Sequence, residues 1–170
     1  MKLLDAIREQ VSFELESAYI YRTMAAWLEN NDLPGFAHWM DIQTKEEIIH
    51  AEKFIQLLRD MGELVTFRPI DPGNGEFDSV LDVFQKALDH EKLVTSKIHN
   101  LVDINEEEKD RRVDSTLVWF VDEQVEEEAN FSHLVAVLER AGENWGAIYQ
   151  LDAAMAQRPE PTPANADQAN

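Results

Sequence analysis

The sequence predicts an all-α protein: a four-helix bundle running up, down, down and up, with a long connection between the second and third helices and a short fifth helix after the fourth. Three observations carry that prediction. Apolar residues recur three and four apart over four long stretches, the period of a helix that buries one face. A Gly- and Pro-rich segment between the second and third stretches is far longer than an antiparallel hairpin needs. Each of the four stripes also carries a carboxylate near its middle, flanked on both sides by apolar positions.

Helix A is expected over residues 2–30, with the stripe Ile7, Val11, Glu14, Ala18, Tyr21, Ala25 and Leu28. Asn30, Asn31 and Asp32 supply turn and cap chemistry, so helix B, over residues 33–61, returns antiparallel. Its stripe is Phe36, Met40, Gln43, Glu47, His50, Phe54, Leu57 and Met61, and Gly62 stops it. The segment GELVTFRPIDPGNGEF follows. Extended at about 3.3 Å per residue, it can span a helix of roughly 28 residues rising 1.5 Å each, which lets helix C run parallel to B. Helix C is expected over 78–103, with Leu81, Phe84, Leu88, Glu91, Thr95, Ile98 and Val102 inward. Helix D is expected from about 110 to 140, with Leu117, Phe120, Gln124, Glu127, Phe131, Leu134 and Leu138 inward and Gly142 beyond its end. Trp145, Ile148, Tyr149, Leu151 and Met155 then mark a fifth helix, too short to stand unless docked. A single domain over 1–157 is expected, followed from Arg158 by a Pro-rich tail, RPEPTPANADQAN, of disordered composition.

Composition removes several classes of function. The chain of 170 residues has no cysteine, so disulfides, Cys-bound zinc and iron–sulfur clusters are out, and any metal takes oxygen and nitrogen ligands. The net charge of −19, from 34 acidic against 15 basic residues, repels phosphate backbones and anionic lipid, so neither nucleic acid nor membrane is an expected partner. No apolar run approaches the roughly 20 residues that span a bilayer, MKLLDAIREQ is not a secretory leader, and the cytoplasm is the expected compartment.

Four carboxylates directed into one apolar interior repel each other and lose hydration, at several kcal/mol each. A bound cation reverses the sign of that interaction. Any one of them could instead snorkel or keep its proton, but four at matching depth beside His50 predict a metal centre. Glu47 and His50 form Glu-x-x-His, which projects both side chains from one helix face within a turn. Di-metal carboxylate bundles take one Glu from each of two helices and Glu-x-x-His from each of the others. Glu14 and Glu91 fit the first role, and Glu47 with His50 the second. Helix D departs from the pattern, because Glu127 is followed by Asn130 where a histidine would stand, with Gln124 one turn earlier.

With FELESAYIY, KEEIIHAE, LDHEKLVTSKI and WFVDEQVEEE in that order, the chain resembles the prokaryotic non-haem ferritins over nearly its whole length. The resemblance implies a di-iron centre with Glu14, Glu47 and His50 on one iron, and Glu47 bridging to a second held by Glu91 and Glu127 near Gln124. It also implies a third iron site at Glu46, Glu123, Glu126 and the shared Glu127, although surface salt bridging explains the first three as well. Tyr21 is implied to serve the centre by redox chemistry or hydrogen bonding, and Trp119 less firmly, while aromatic core packing is the alternative for both. Ile48 stands where related bacterioferritins carry a haem-ligating methionine, so no haem is expected.

The implied activity is ferroxidase: Fe(II) oxidised by O₂ or H₂O₂ and stored as ferric mineral in a twenty-four-subunit cage. Asp110 and Asp114 are candidates for acidic entry channels or, equally, for helix-dipole partners. A di-iron oxidase or peroxidase that stores nothing would keep the same ligands, and an acidic helical interaction module would keep only the helices. His38, His90, His99 and His133 have no partners at ligand spacing and are read as structural or exposed.

Overall fold

The structure is a computed structural model and describes residues 2–161. Five helices occur among them: α1 (Leu3–Asn30), α2 (Pro34–Asp60), α3 (Val80–Glu108), α4 (Asp114–Ala141) and α5 (Trp145–Met155). The hairpins α1–α2 and α3–α4 make the most extensive helix contacts, as the short connections require.

The direction of α3 follows from how the crossover is tied down. Arg8, Ser12 and Glu16 recur every fourth residue on α1 and form a polar strip along it. Arg8 donates to Leu64 O at 2.7 Å and Glu63 Oε2 at 2.8 Å, Ser12 Oγ accepts from Arg68 N at 3.1 Å, and Glu16 Oε2 accepts from Arg68 Nη1 at 2.6 Å and Asp71 N at 3.2 Å. At Gly75, with φ of 69°, the chain passes Thr23 so closely that a Cβ would stand 3.0 Å from its Cγ2. The crossover therefore climbs α1 from Arg8 to Thr23, α3 starts at the end of the bundle where α2 starts, and the order is up, down, down, up. Ser79 Oγ caps α3 by accepting from Asp82 N at 3.1 Å.

The apolar core lies in two halves. One gathers Met24, Leu28, Phe36, Met40, Phe84, Phe131 and Leu138, and the other Leu3, Ile7, Val11, Phe54, Ile98, Leu117 and Phe120. A layer of buried polar side chains separates them, because each stripe changes from apolar to carboxylate at the same depth.

Helix α5 docks by completing α2. Leu33, the N-cap of α2, has no side-chain acceptor, and Asp152 Oδ1 accepts the Phe36 N–H at 2.9 Å instead. Only glycine fits at Gly35, since a Cβ there would meet Asp152 O at 1.7 Å.

Three boundaries differ from expectation. α3 runs five residues past 103, to Glu108, and ends where Lys109 turns left-handed at φ 60° and returns its N–H to Asn105 O at 2.7 Å. α4 starts at Asp114 rather than 110, because the Asp110 carboxylate is spent on the Arg112 N–H and guanidinium in the turn. The chain after α5 is also placed: Arg158 through Pro161 lies against α2, with Arg158 bonded to Trp39, Gln43 and Glu46. A Pro-rich composition signals too little apolar surface to fold alone, and it does not register one guanidinium with three matching acceptors. Residues 162–170 lie outside the described residues.

Candidate metal centre

The polar layer holds Glu14 from α1, Gln43, Glu47 and His50 from α2, Glu91 from α3, and Gln124 and Glu127 from α4, none more than 4% exposed. Helical period explains the convergence, since each residue continues an apolar seam and points where the seam points. Glu14, Glu47 and His50 each offer a ligand atom within 4.8 Å of the others. His50, Glu123 and Glu127 form a second such group. His50 serves both, with Nδ1 at 3.5 Å from Glu47 Oε2 and Nε2 at 3.7 Å from Glu123 Oε1.

Glu91 joins neither group. It accepts the Tyr21 hydroxyl on Oε1 and Gln124 Nε2 on Oε2 at 3.1 Å, so donors from α1 and α4 occupy its two oxygens. Glu46 is engaged by Arg158, and Glu126 is exposed on the wall of a cavity of about 250 Å³ that Glu46, His50 and Glu123 also line. The structure thus brings Glu14, Glu47, His50, Glu123 and Glu127 together, and keeps Glu91, Glu46 and Glu126 within the same neighbourhood but outside those groups.

Two residues in the layer went unassigned in the sequence. Gln10 Nε2 donates to Glu14 Oε1 at 3.0 Å. Gln43 Nε2 donates to Glu47 Oε1 at 3.1 Å and Glu127 Oε1 at 3.0 Å, tying α2 to α4. Both stand four residues before the glutamate they serve, a spacing that was readable. Amide donors suit this place because they hold carboxylates without adding a charge that would compete with a cation.

Among the described residues, the buried side-chain atoms left without any hydrogen-bond partner are Glu14 Oε2 and Glu127 Oε2. Such an atom costs about 1–3 kcal/mol, and an oxygen kept free in this way inside a carboxylate cluster fits a cation. The donor set of carboxylates and one imidazole suits Fe(II) and, by geometry alone, Zn(II) and Mn(II) as well.

Burial and the neighbouring Glu47 charge push Glu14 up to about 8 and Glu91 up to about 8, against an ordinary 4.5. Burial, Glu91 and Glu47 push Glu127 well above its ordinary value too. Burial also pushes Glu47 up, but His50 and the Gln43 hydrogen bond outweigh it and bring Glu47 below 4.5. His50 is the converse: burial opposes its charge, and Glu47 and Glu123 prevail and hold it well above 6.5. At neutral pH Glu14 and Glu91 therefore keep their protons, burial favours the protonated form of Glu127 as well, and Glu47 and His50 favour each other's charged forms.

The Tyr21 ring stacks on Phe131 at 5.8 Å and sets its edge against His90 at 5.7 Å, while its hydroxyl reaches Glu91. Tyr21 is thus packed in the core and also bonded to a carboxylate of the layer. Trp119 lies edge-on to His50 with ring centroids 5.6 Å apart, and Lys53 Nζ sits 4.1 Å over it. Of the remaining histidines, His90 Nε2 pairs with Ser17 Oγ at 2.8 Å, His38 Nε2 with Arg158 O at 2.9 Å, and His99 and His133 are exposed. Asn130 is exposed at the edge of the cavity beside Glu126, and Ile48 is 44% exposed on the outer face of α2. Asp114 accepts from Asn105 at 2.8 Å and Arg111 at 3.2 Å, so both channel candidates, Asp110 and Asp114, have local partners.

A four-helix bundle whose seams converge on buried carboxylates and a Glu-x-x-His pair defines a ferritin-like protein, and residues 4–141 match the ferritin-like domain family. The chain belongs to that family, beside the bacterial non-haem ferritins. A bacterial non-heme ferritin of Staphylococcus saprophyticus is 38% identical over 157 residues, 92% of this chain and 94% of its own. One from Staphylococcus haemolyticus is 36% identical with the same coverage. Among solved structures, an open pore ferritin from the hyperthermophilic archaeon Archaeoglobus fulgidus superposes with a TM-score of 0.90 at 36% identity, covering 92% of this chain and 97% of that one. A closed form of that ferritin, engineered by site-directed mutagenesis, gives 0.92 at 35%. None of the helices is long and apolar enough to cross a membrane.

Proposed function

We propose that this chain is the subunit of an iron-storage ferritin with ferroxidase activity, and that Glu14, Glu47, His50, Glu91 and Glu127 receive a pair of Fe(II) ions as substrate. The observation that carries the reading is the pair of unpartnered buried oxygens, Glu14 Oε2 and Glu127 Oε2, on either side of Glu47 and His50. Membership of the ferritin family adds to it. No haem takes part.

Glu47 is the bridge: it is the ionised carboxylate of the layer, and it lies between the Glu14 side and the Glu127 side through its own contacts with His50 and Gln43. Glu91 completes the second position by turning from the Tyr21 and Gln124 donors, which leaves Tyr21 within reach of the bound iron as hydrogen-bond donor. Each Fe(II) gives up one electron. O₂ takes both with two protons to leave H₂O₂, or H₂O₂ takes both with two protons to leave water. Glu123, Glu46 and Glu126 border the cavity next to Glu127 and His50, and form a third iron site on the way out.

One domain over residues 1–157 carries this function. Copies of it assemble, in this proposal as a twenty-four-subunit cage. Tyr19, Leu64, Phe67, Leu93, Val118, Trp145 and Tyr149 are exposed large apolar residues spread over the helices and the crossover, as expected where copies of a chain cover one another.

The test is stopped-flow absorbance after mixing the Fe(II)-loaded protein with oxygen, joined to particle mass before and after loading. Fast oxidation in a large particle that gains mass is the expected result. Fast oxidation in a small particle that gains none would make the chain a non-storing di-iron oxidase, and no oxidation would remove both readings.

A further inference from the structure

The segment after α5 reaches the outer edge of the metal centre through one side chain. Arg158 Nη2 donates to Glu46 Oε2 at 2.5 Å and to Gln43 Oε1 at 3.0 Å, and Nη1 donates to Trp39 O at 3.1 Å. The guanidinium lies 4.0 Å over the Trp39 ring, and the Arg158 carbonyl accepts His38 Nε2 at 2.9 Å. Lys45 fastens the segment further by donating to the Glu160 carboxylate at 2.6 Å. Residues 158–161 thereby form one wall of the cavity whose other wall is Glu46, His50, Glu123 and Glu126.

These contacts have two consequences. Arg158 stands where its charge is shared with Glu46, so a metal ion taking Glu46 as ligand must break a charge-assisted bond and find the guanidinium a new place. Arg158 also takes the oxygen of the Gln43 amide, which leaves the Gln43 NH₂ group to face Glu47 and Glu127. A planar, permanently charged fork bonded to a carboxylate, an amide oxygen and a backbone carbonyl, and stacked on an indole, is a fixed fitting rather than a surface ion pair.

We propose that Arg158 is a resident cation of the outer acidic cavity, which competes with a metal ion at Glu46 and so couples the placement of segment 158–161 to occupancy of the third site. This rests on the metal-centre reading above. It makes Arg158 a brake on the third ion, leaving the first two ions to the buried layer.

The experiment is titration of the whole assembled protein with Zn(II), which is redox-inert, by calorimetry at 0.15 M salt to suppress loose surface binding. It is run on wild type, Arg158→Gln and Arg158→Lys, with hydrogen exchange of the segment around 158–161 followed in wild type at each equivalent. Two tight equivalents in all three proteins are expected. The third should tighten about tenfold in Arg158→Gln, with Arg158→Lys between, since lysine keeps the charge and loses the fork. Exchange of the wild-type segment should rise only as the third equivalent binds. A third equivalent indifferent to Arg158, or exchange that does not change with it, overturns this inference alone. Absence of the first two overturns the centre itself.

Discussion

Glu47 Oε2 stands 3.5 Å from His50 Nδ1, one turn along the same face of α2, and the two form an ion pair inside an otherwise crowded carboxylate layer. Removing Glu47 takes from the buried His50 one of its two carboxylate partners and leaves Glu123 on Nε2, so Glu47→Ala is expected to cost about 1–3 kcal/mol of metal-free stability along with the oxidase activity. Glu127→Gln is the contrast, because its Oε2 has no partner to lose. That variant should lose fast oxidation while its stability holds or rises. Urea unfolding beside stopped-flow oxidation measures both, and a Glu127→Gln protein less stable than Glu47→Ala would contradict the assignment.

The pH dependence has a definite sign. Glu14 and Glu91 rise from 4.5 to about 8 on folding, so the folded state binds more protons than the unfolded one between those values. Their contribution is complete below about pH 4.5 and is lost as pH rises through about 8. His50, also raised, acts in the same direction above its ordinary 6.5, whereas Glu47, lowered, contributes above 4.5 and loses that on acidification. Metal-free protein should therefore melt progressively lower from pH 5 to pH 8, and saturating Zn(II) should flatten the trend. A melting temperature that climbs over that range without metal would be inconsistent with protonated Glu14 and Glu91.

Those stored protons must leave when cations bind. Calorimetric Zn(II) titration at pH 7 in buffers of different ionisation enthalpy should report at least about two protons released for the first two ions, one each from Glu14 and Glu91, with Glu127 and His50 adding to that number as they shed theirs to ligate. Glu14→Gln should remove about one of them. Binding without proton release would mean that both carboxylates are already ionised.

Tyr21→Phe keeps the ring stacked on Phe131 and deletes the donor to Glu91. The expected cost is about 1 kcal/mol in stability, with the two-ion stoichiometry intact and the oxidation rate lower. Equal rates in the two proteins would confine Tyr21 to packing.

Gly35→Ala places a methyl 1.7 Å from Asp152 O and has to push α5 away from the start of α2. A loss of roughly 1–3 kcal/mol is expected, with weaker assembly because α5 carries the exposed Trp145 and Tyr149. Thermal melts and particle mass check it, and an unaltered particle of wild-type stability would show that α5 docks without Asp152.

Periodicity made Glu14, Glu47, Glu91 and Glu127 legible, because a carboxylate that replaces an apolar residue in a helical seam has one direction to point. The parallel α2 and α3 followed from the crossover length, although its attachment to Arg8, Ser12 and Glu16 did not, since those residues read as ordinary surface. Gln10 and Gln43 were visible at the i−4 position and carried no motif to mark them. Glu91 held apart by Tyr21 and Gln124 is a matter of side-chain rotamers that spacing does not encode. Arg158 was the least legible: composition averages over a segment, and this one is held by a single side chain whose acceptors lie 112 to 119 residues away.

The decisive measurement is anomalous diffraction at the iron edge from crystals soaked anaerobically with Fe(II). Two strong peaks are expected in the buried layer, one among Glu14, Glu47 and His50 and one among Glu47, Glu91 and Glu127, with any third, weaker peak beside Glu46 and Glu123. Peaks confined to surface acids, with none in the layer, would contradict the di-iron assignment.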